Sequence, residues 1–187
     1  MAEQYFSAEP ASKDVRRTLN VTLRGHEATA QVSNGVFSGS RVDLGTSVLL
    51  KHAPEPPLTG DFLDLGCGWG AIGVAGKKKY PAAHVTMVDV NRRALELCRF
   101  NAVHNGITAE CLESDGMAEV MERTFDFIIT NPPIRASKPV IYRMFADAAS
   151  RLNPGGALYL VIRKQQGAES CMKYLKTLYA KVDKVDK

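Results

Sequence analysis

Four stretches of this sequence combine residue types and spacings that can do chemistry. The first is Asp64-Leu65-Gly66-Cys67-Gly68-Trp69-Gly70. Glycines at alternate positions let a backbone turn sharply and let a ligand approach the main chain without Cβ atoms in the way. A helix starting just after them would aim its free N–H groups at that ligand. Asp64, ahead of the first glycine, can meet an ammonium group. Gly68-Trp69-Gly70-Ala71-Ile72-Gly73 also fits the dinucleotide fingerprint, so the loop alone leaves a dehydrogenase open. The second position is Asp89, one strand–helix–strand unit later, where a carboxylate can accept both ribose hydroxyls of an adenosine or cap the next helix. The third is Ser114-Asp115-Gly116, where a carboxylate can accept from an adenine amino group or close a turn.

The fourth stretch, Asn131-Pro132-Pro133-Ile134, separates the alternatives. Two prolines lock the backbone. The Asn131 side-chain oxygen and the Pro132 carbonyl can then each accept one hydrogen of an amino group. An amide or aryl amine is a poor nucleophile because its lone pair is delocalised. Holding both hydrogens favours pyramidalisation and aims the lone pair at an electrophilic methyl group, so positioning and electrostatics carry the catalysis. A dehydrogenase has no use for this device.

The elements around these positions alternate. Phe62–Leu65, His84–Val88, Thr108–Leu112, Phe125–Ile129 and Ala157–Ile162 read as strands; Ala71–Lys79, Asn91–Asn105, Pro139–Leu152 and Ala168–Ala180 read as helices. This predicts an α/β protein with a doubly wound, Rossmann-like sheet, whose ligands bind beyond the carboxyl ends of the strands. Ahead of it, Thr18–Leu23 and Glu27–Val32 alternate around Arg24-Gly25-His26, a hairpin signature. Pro54-Glu55-Pro56-Pro57 predicts a stiff connection, dividing an extension over 1–57 from a domain over 58–187.

Composition sets wide bounds. The 187 residues suit one domain with a small appendage, and no apolar run approaches the ~18–20 residues that span a bilayer. The four cysteines, Cys67, Cys98, Cys111 and Cys171, are widely spaced, which argues against a zinc site or a disulfide framework and for small buried hydrophobes in a reducing cytoplasm. A net charge of +4 permits a polyanionic partner without requiring one. The basic groups Arg16-Arg17, Lys77-Lys78-Lys79, Arg92-Arg93 and Arg163-Lys164 are each, alone, ordinary solvated faces.

With these residues in view, the chain resembles the class I methyltransferases, in particular the bacterial small-subunit ribosomal RNA guanine-N2 methyltransferases. Besides the four stretches, the likeness rests on Val36-Phe37-Ser38, Arg41–Thr46, Asn153-Pro154-Gly155-Gly156 and Ile162–Gly167. The resemblance implies S-adenosylmethionine as methyl donor, with Gly66, Gly68 and Gly70 under its methionine part. It implies Asp89 on the ribose, Val90 against the adenine, Asp115 on the adenine amino group and Asn131 on the target amine. Phe37 and Arg41 would line the entrance, with Ile134 and Arg135 toward the substrate. RNA, ribosomal in origin, is the implied partner, with no metal and no membrane.

Three departures accompany it. Ile134 stands where relatives often carry an aromatic that stacks on a flipped base. A second methyltransferase-like domain, common in front of relatives, is expected to be missing here. The closing antiparallel hairpin has room only for its sixth strand in Lys181–Lys187, so the final strand is expected to be missing from the chain. Adenine N6 or a protein glutamine side chain remain alternative acceptors, since the Asn-Pro-Pro device serves all three, and a cofactor-binding module without turnover is a further alternative.

Overall fold

Two hydrophobic periodicities produce two sheets. The computed structural model describes residues 8–54 and 59–186. Near the N-terminus, β1 (Arg16–Leu23) and β2 (His26–Ser33) pair antiparallel from Leu23↔His26 to Arg16↔Ser33. Two residues, Arg24 and Gly25, make the turn, both left-handed (φ +52° and +82°), as a twisted two-residue hairpin requires. His26, expected in the turn, therefore opens β2. Leu23, Ala28, Ala30 and Val32 point to one side and are buried.

The second sheet is parallel and has the order β5-β4-β3-β6-β7. Its strands are β3 (Asp61–Leu65), β4 (His84–Asp89), β5 (Glu110–Glu113), β6 (Phe125–Thr130) and β7 (Leu152–Leu160). Helices α2 (Ala71–Lys79), α3 (Arg92–His104) and α4 (Lys138–Ser150) provide crossovers, and α5 (Ala168–Leu178) follows β7 and packs on α4. Strand order reverses at β3, between β4 and β6, so the crevice of a doubly wound sheet opens beyond the ends of β3 and β6. The expected proline connection and the 57/58 boundary fall at residues 55–58, outside the described residues, apart from Pro54.

Three readings change. Residues 44–52 form a helix, α1 (Leu44–His52), which the sequence did not announce because its first turn holds Gly45 and Thr46. Asp43 starts it, its carboxylate accepting the N–H groups of Gly45 (2.7 Å) and Thr46 (3.4 Å). β7 begins at Leu152, not Ala157: Phe125 pairs with Leu152 and Phe127 with Ala157, so Asn153–Gly156 lie in a bulge within the ladder rather than in a turn before it. Residues 181–186 form no sixth strand. Val182 packs beside Leu178 and Tyr179, Val185 stays 66% exposed, and Asp186 reaches His52 at 2.7 Å. An isolated segment with two apolar residues has too little to bury to order a ladder.

α2 packs the bare backbone of Gly76 directly onto the Phe62 ring of β3. A Cβ built on Gly76 would stand 2.1 Å from Cε1 of Phe62, a fully buried ring stacked on Phe127 with centroids 4.6 Å apart. In a helix interior, Gly→Ala ordinarily stabilises by about 1 kcal/mol. Here overpacking should outweigh it, so Gly76→Ala is expected to destabilise by a net ~1–2 kcal/mol in urea unfolding. A stabilised variant would show that α2 stands further from β3.

Candidate active site

The glycine loop is fixed by hydrogen bonds to the tip of β4. Gly66 and Cys67 donate their N–H groups to the Val88 carbonyl, both at 2.9 Å, and Gly68 donates to Asp89 Oδ2 at 2.8 Å. Gly66, Gly68 and Gly70 all have positive φ. At Gly70 (φ +94°) a Cβ would also lie 3.1 Å from Cys98 Sγ, so no other residue fits without displacement. The loop delivers the chain into α2, whose Gly73 N–H turns back to Asp64 at 2.8 Å.

Two carboxylates stand at this loop. Asp64 is fully buried; its Oδ2 accepts the Gly73 N–H at 2.8 Å, while Oδ1 has no partner among the described residues. Burial, with a smaller contribution from the Asp89 charge, pushes its pKa up to about 7 against the pull of the Gly73 N–H. Asp89 is half-buried and accepts from Gly68 and, at 2.9 Å, from Asn91. Burial raises its pKa, opposed by the backbone N–H groups of Asn91, Gly68 and Val90. A carboxyl so rigidly held keeps further lone pairs for ligand hydroxyls.

A narrow cleft runs from the loop to the Asn-Pro-Pro turn, lined by Phe37, Ser38, Val42, Asp43, Thr46, Gly66 to Trp69, Ala71, Ile72 and Asn131. Thus Gly66, Gly68, Asn131 and Phe37 converge from segments far apart in sequence. Asn131 follows β6 directly, and its Nδ2 donates to Asp43 Oδ2 at 3.2 Å and to Thr46 Oγ1 at 3.0 Å. Pro132 is buried, and its carbonyl has no hydrogen-bond partner among the described residues. The Pro133 carbonyl instead closes a turn with the Ala136 N–H at 2.7 Å.

Other expected residues lie outside this cleft. Asp64 stands behind the loop and is not on the wall. Asp89 and the half-buried Val90 sit at the end of β4. Asp115 is largely exposed and pairs with Arg143 on α4 at 2.7 Å. Ile134 packs into the α4–α5 cluster, whereas Arg135 and Arg41 are exposed. The basic groups are mostly used internally: Arg16 pairs with Asp14 and Glu96, Arg92 with Glu9 and Glu113, and Arg163 with Asp43.

Sequence reasoning assigned no role to Asp43 and Thr46, which bind the Asn131 amide. The one available signal was Asp43 followed by Gly45-Thr46 within a motif carried by the resemblance. It also missed that Cys67, Cys98 and Cys111 converge, with Sγ–Sγ separations of 3.8 and 3.6 Å. Their pKa values are raised: the hydrogen bond to Cys98 lowers that of Cys67, but burial and the charges of Asp89 and Asp64 outweigh it and push it up to about 12, and burial also raises those of Cys98 and Cys111. They pack as small hydrophobes under the loop. Among the described residues no group of His, Cys, Asp or Glu is placed to hold a metal, and no helix is long and apolar enough to cross a membrane.

Residues 27–187 match the methyltransferase small domain family. An uncharacterized Bacillus subtilis protein, YbxB, is 40% identical over all of this chain and 94% of its own length. The ribosomal RNA small subunit methyltransferase C of Hahella chejuensis is 44% identical over 70% of this chain, but only 39% of that enzyme is covered. Among solved structures, the T. thermophilus 16S rRNA N2 G1207 methyltransferase, in complex with AdoMet and guanosine, superposes with a TM-score of 0.80 at 27% identity. That match covers 89% of this chain and 46% of the enzyme, so the chain spans less than half of these two ribosomal RNA methyltransferases.

The buried Asp64 makes the ligand-free protein pH-sensitive. Its folded pKa of about 7 lies above the ordinary 3.8, so the folded state binds the proton more tightly. Stability from this group is therefore greatest below pH 4 and falls as pH rises to about 7. Without ligand, Asp64→Asn should raise Tm above pH 7, by a free energy on the order of a few kcal/mol, with the gain vanishing toward pH 4. Thermal scans across that range check it; a gain independent of pH would refute the assignment.

Proposed function

This chain belongs to the methyltransferase small domain family, and on that premise we propose that it transfers a methyl group from S-adenosylmethionine to the exocyclic N2 of a guanine in ribosomal RNA. The carrying observation is Asn131. It stands at the cleft with its Nδ2 turned toward α1, which leaves Oδ1 for the cleft, beside a Pro132 carbonyl that has no partner among the described residues.

The residues present fit S-adenosylmethionine. The glycine loop leaves room for its methionine part. Asp64, buried behind the loop with Oδ1 lacking a partner among the described residues, would supply a counter-charge for its ammonium group across the loop rather than by direct contact. Asp89 takes the ribose hydroxyls and Val90 the adenine face. Asp115 would reach the adenine amino group only by leaving Arg143. When bound, S-adenosylmethionine supplies the electrophilic methyl group. Asn131 Oδ1 and the Pro132 carbonyl accept the two amine hydrogens, directing the nitrogen lone pair and stabilising the positive charge that develops there. Phe37 stands on the cleft wall; Arg41, Ile134 and Arg135 lie outside it, so a substrate role for them would need contacts beyond the cleft. The choice of guanine in ribosomal RNA draws its support from the relatives named above.

The experiment is transfer of labelled methyl to ribosomal RNA from cells lacking the gene, followed by nucleoside analysis. N2-methylguanosine is expected; labelled N6-methyladenosine would replace the base, and no incorporation despite cofactor binding would overturn the reading. Asn131→Ala should lower kcat by about 10²–10³-fold and leave cofactor Kd within about twofold. Asp89→Ala should raise cofactor Kd by about 10²–10⁴-fold, the loss of two charge-assisted hydrogen bonds. If Asn131→Ala instead abolished cofactor binding, its role as amine holder would fail.

A further inference from the structure

We infer that Asp43 is a positioning residue that fixes which end of the Asn131 side-chain amide faces the cleft. This rests on the reading of Asn131 as holder of the target amine and adds what keeps it competent. A side-chain amide is nearly symmetrical in shape, but one end only accepts hydrogen bonds and the other only donates. Turned by half a rotation, Asn131 would present N–H groups to the hydrogens of the amine. Its two contacts on α1 differ in their power to prevent this. A hydroxyl both accepts and donates, so Thr46 would serve either orientation by turning its own hydrogen. A carboxylate only accepts, so Asp43 admits Nδ2 and rejects Oδ1.

Asp43 is itself held in place. As the N-cap of α1 its Oδ2 accepts from Gly45 and Thr46, and its Oδ1 receives the Arg163 guanidinium at 3.2 Å. Asp43 is the less exposed partner of that pair, at 19% against 47% for Arg163. One carboxylate thus joins the start of α1, the Asn-Pro-Pro turn after β6, and the segment after β7. No contact of Asp43 with substrate is needed for this role; it acts through Asn131.

Asp43→Ser keeps a hydroxyl N-cap for α1 but is too short to reach Asn131. In nitrogen-edited NMR of the full chain, the Asn131 side-chain N–H pair should exchange slowly with water and lose that protection in Asp43→Ser. Equal exchange in both proteins overturns the inference, without any substrate being needed. In turnover with S-adenosylmethionine and ribosomal RNA, Asp43→Ser should lower kcat about 10- to 100-fold, the scale of a ~1 Å misplacement, with cofactor Kd within about twofold. Asn131→Asp gives the sharper arm. A carboxylate has no wrong end, but at the 3.2 Å that separates Asn131 Nδ2 from Asp43 it would be repelled, so Asp43→Ser in that background should cost no further kcat and should instead restore some. An equal fold loss in both backgrounds, or a parallel loss of cofactor affinity, would mean that Asp43 acts only through the fold. A wild-type chain that protects the Asn131 amide yet methylates no RNA would refute the substrate reading and leave the positioning role standing.

Discussion

The Asn101 side-chain amide, fully buried on α3, holds together the parts of this protein that no covalent proximity brings together. Its Oδ1 accepts the Gln31 N–H at 2.7 Å, and its Nδ2 donates to the Gln31 carbonyl and to the Trp69 carbonyl, each at 2.9 Å. One turn later on α3, Asn105 repeats the pattern on Thr29, at 3.3 and 2.8 Å. Two asparagines four residues apart thus complete the edge of β2 as a neighbouring strand would, because a side-chain amide carries the same donor and acceptor as a peptide. The hairpin is docked on α3 by this false ladder, and the Trp69 contact ties it to the glycine loop. A buried amide with such partners tolerates no apolar replacement, since each backbone group would be left without a partner.

From that junction the cleft follows. The hairpin leads into residues 34–43, which bring Phe37 and Ser38 over the loop and start α1 at Asp43. Asn91, the N-cap of α3, reinforces the path by donating to the Gly35 carbonyl at 2.9 Å while accepting from Ala94. The pre-core extension therefore forms part of the cleft wall. Its short strands, which could bury little by themselves, gain stability only by docking.

Electrostatically the site is a concentration of acceptors facing a few fixed donors. Asp64 and Asp89 lie on either side of the glycine loop, each binding a backbone N–H of that loop or of the helix after it. Burial raises both pKa values, so the ligand-free site stores an unfavourable charge that a cationic ligand group would relieve. The Arg163–Asp43 pair lies nearer solvent and serves geometry more than energy, in keeping with the small worth of exposed ion pairs.

The sequence by itself determined the alternation of strands and helices, the positions of the glycine loop and of Asp89 at strand tips, and the Asn-Pro-Pro turn. These are local matters: periodicity, positive φ at glycine and locked φ at proline depend on neighbours a few residues away. Tertiary structure alone decided what surrounds them. Asp43 and Thr46 meet Asn131 across 88 and 85 residues, and no spacing rule connects them. The three thiols under the loop look scattered in sequence and touch only because α3 and β5 pack beside β4. α1 was hidden by a first turn of poor helix formers, and its cap is stabilised by partners from two other segments. The β7 bulge and the lack of a strand over residues 181–186 depend on what lies across the sheet. A chain pattern encodes which residues prefer which backbone, whereas hydrogen-bond partners at long range are set by the packing that those preferences permit.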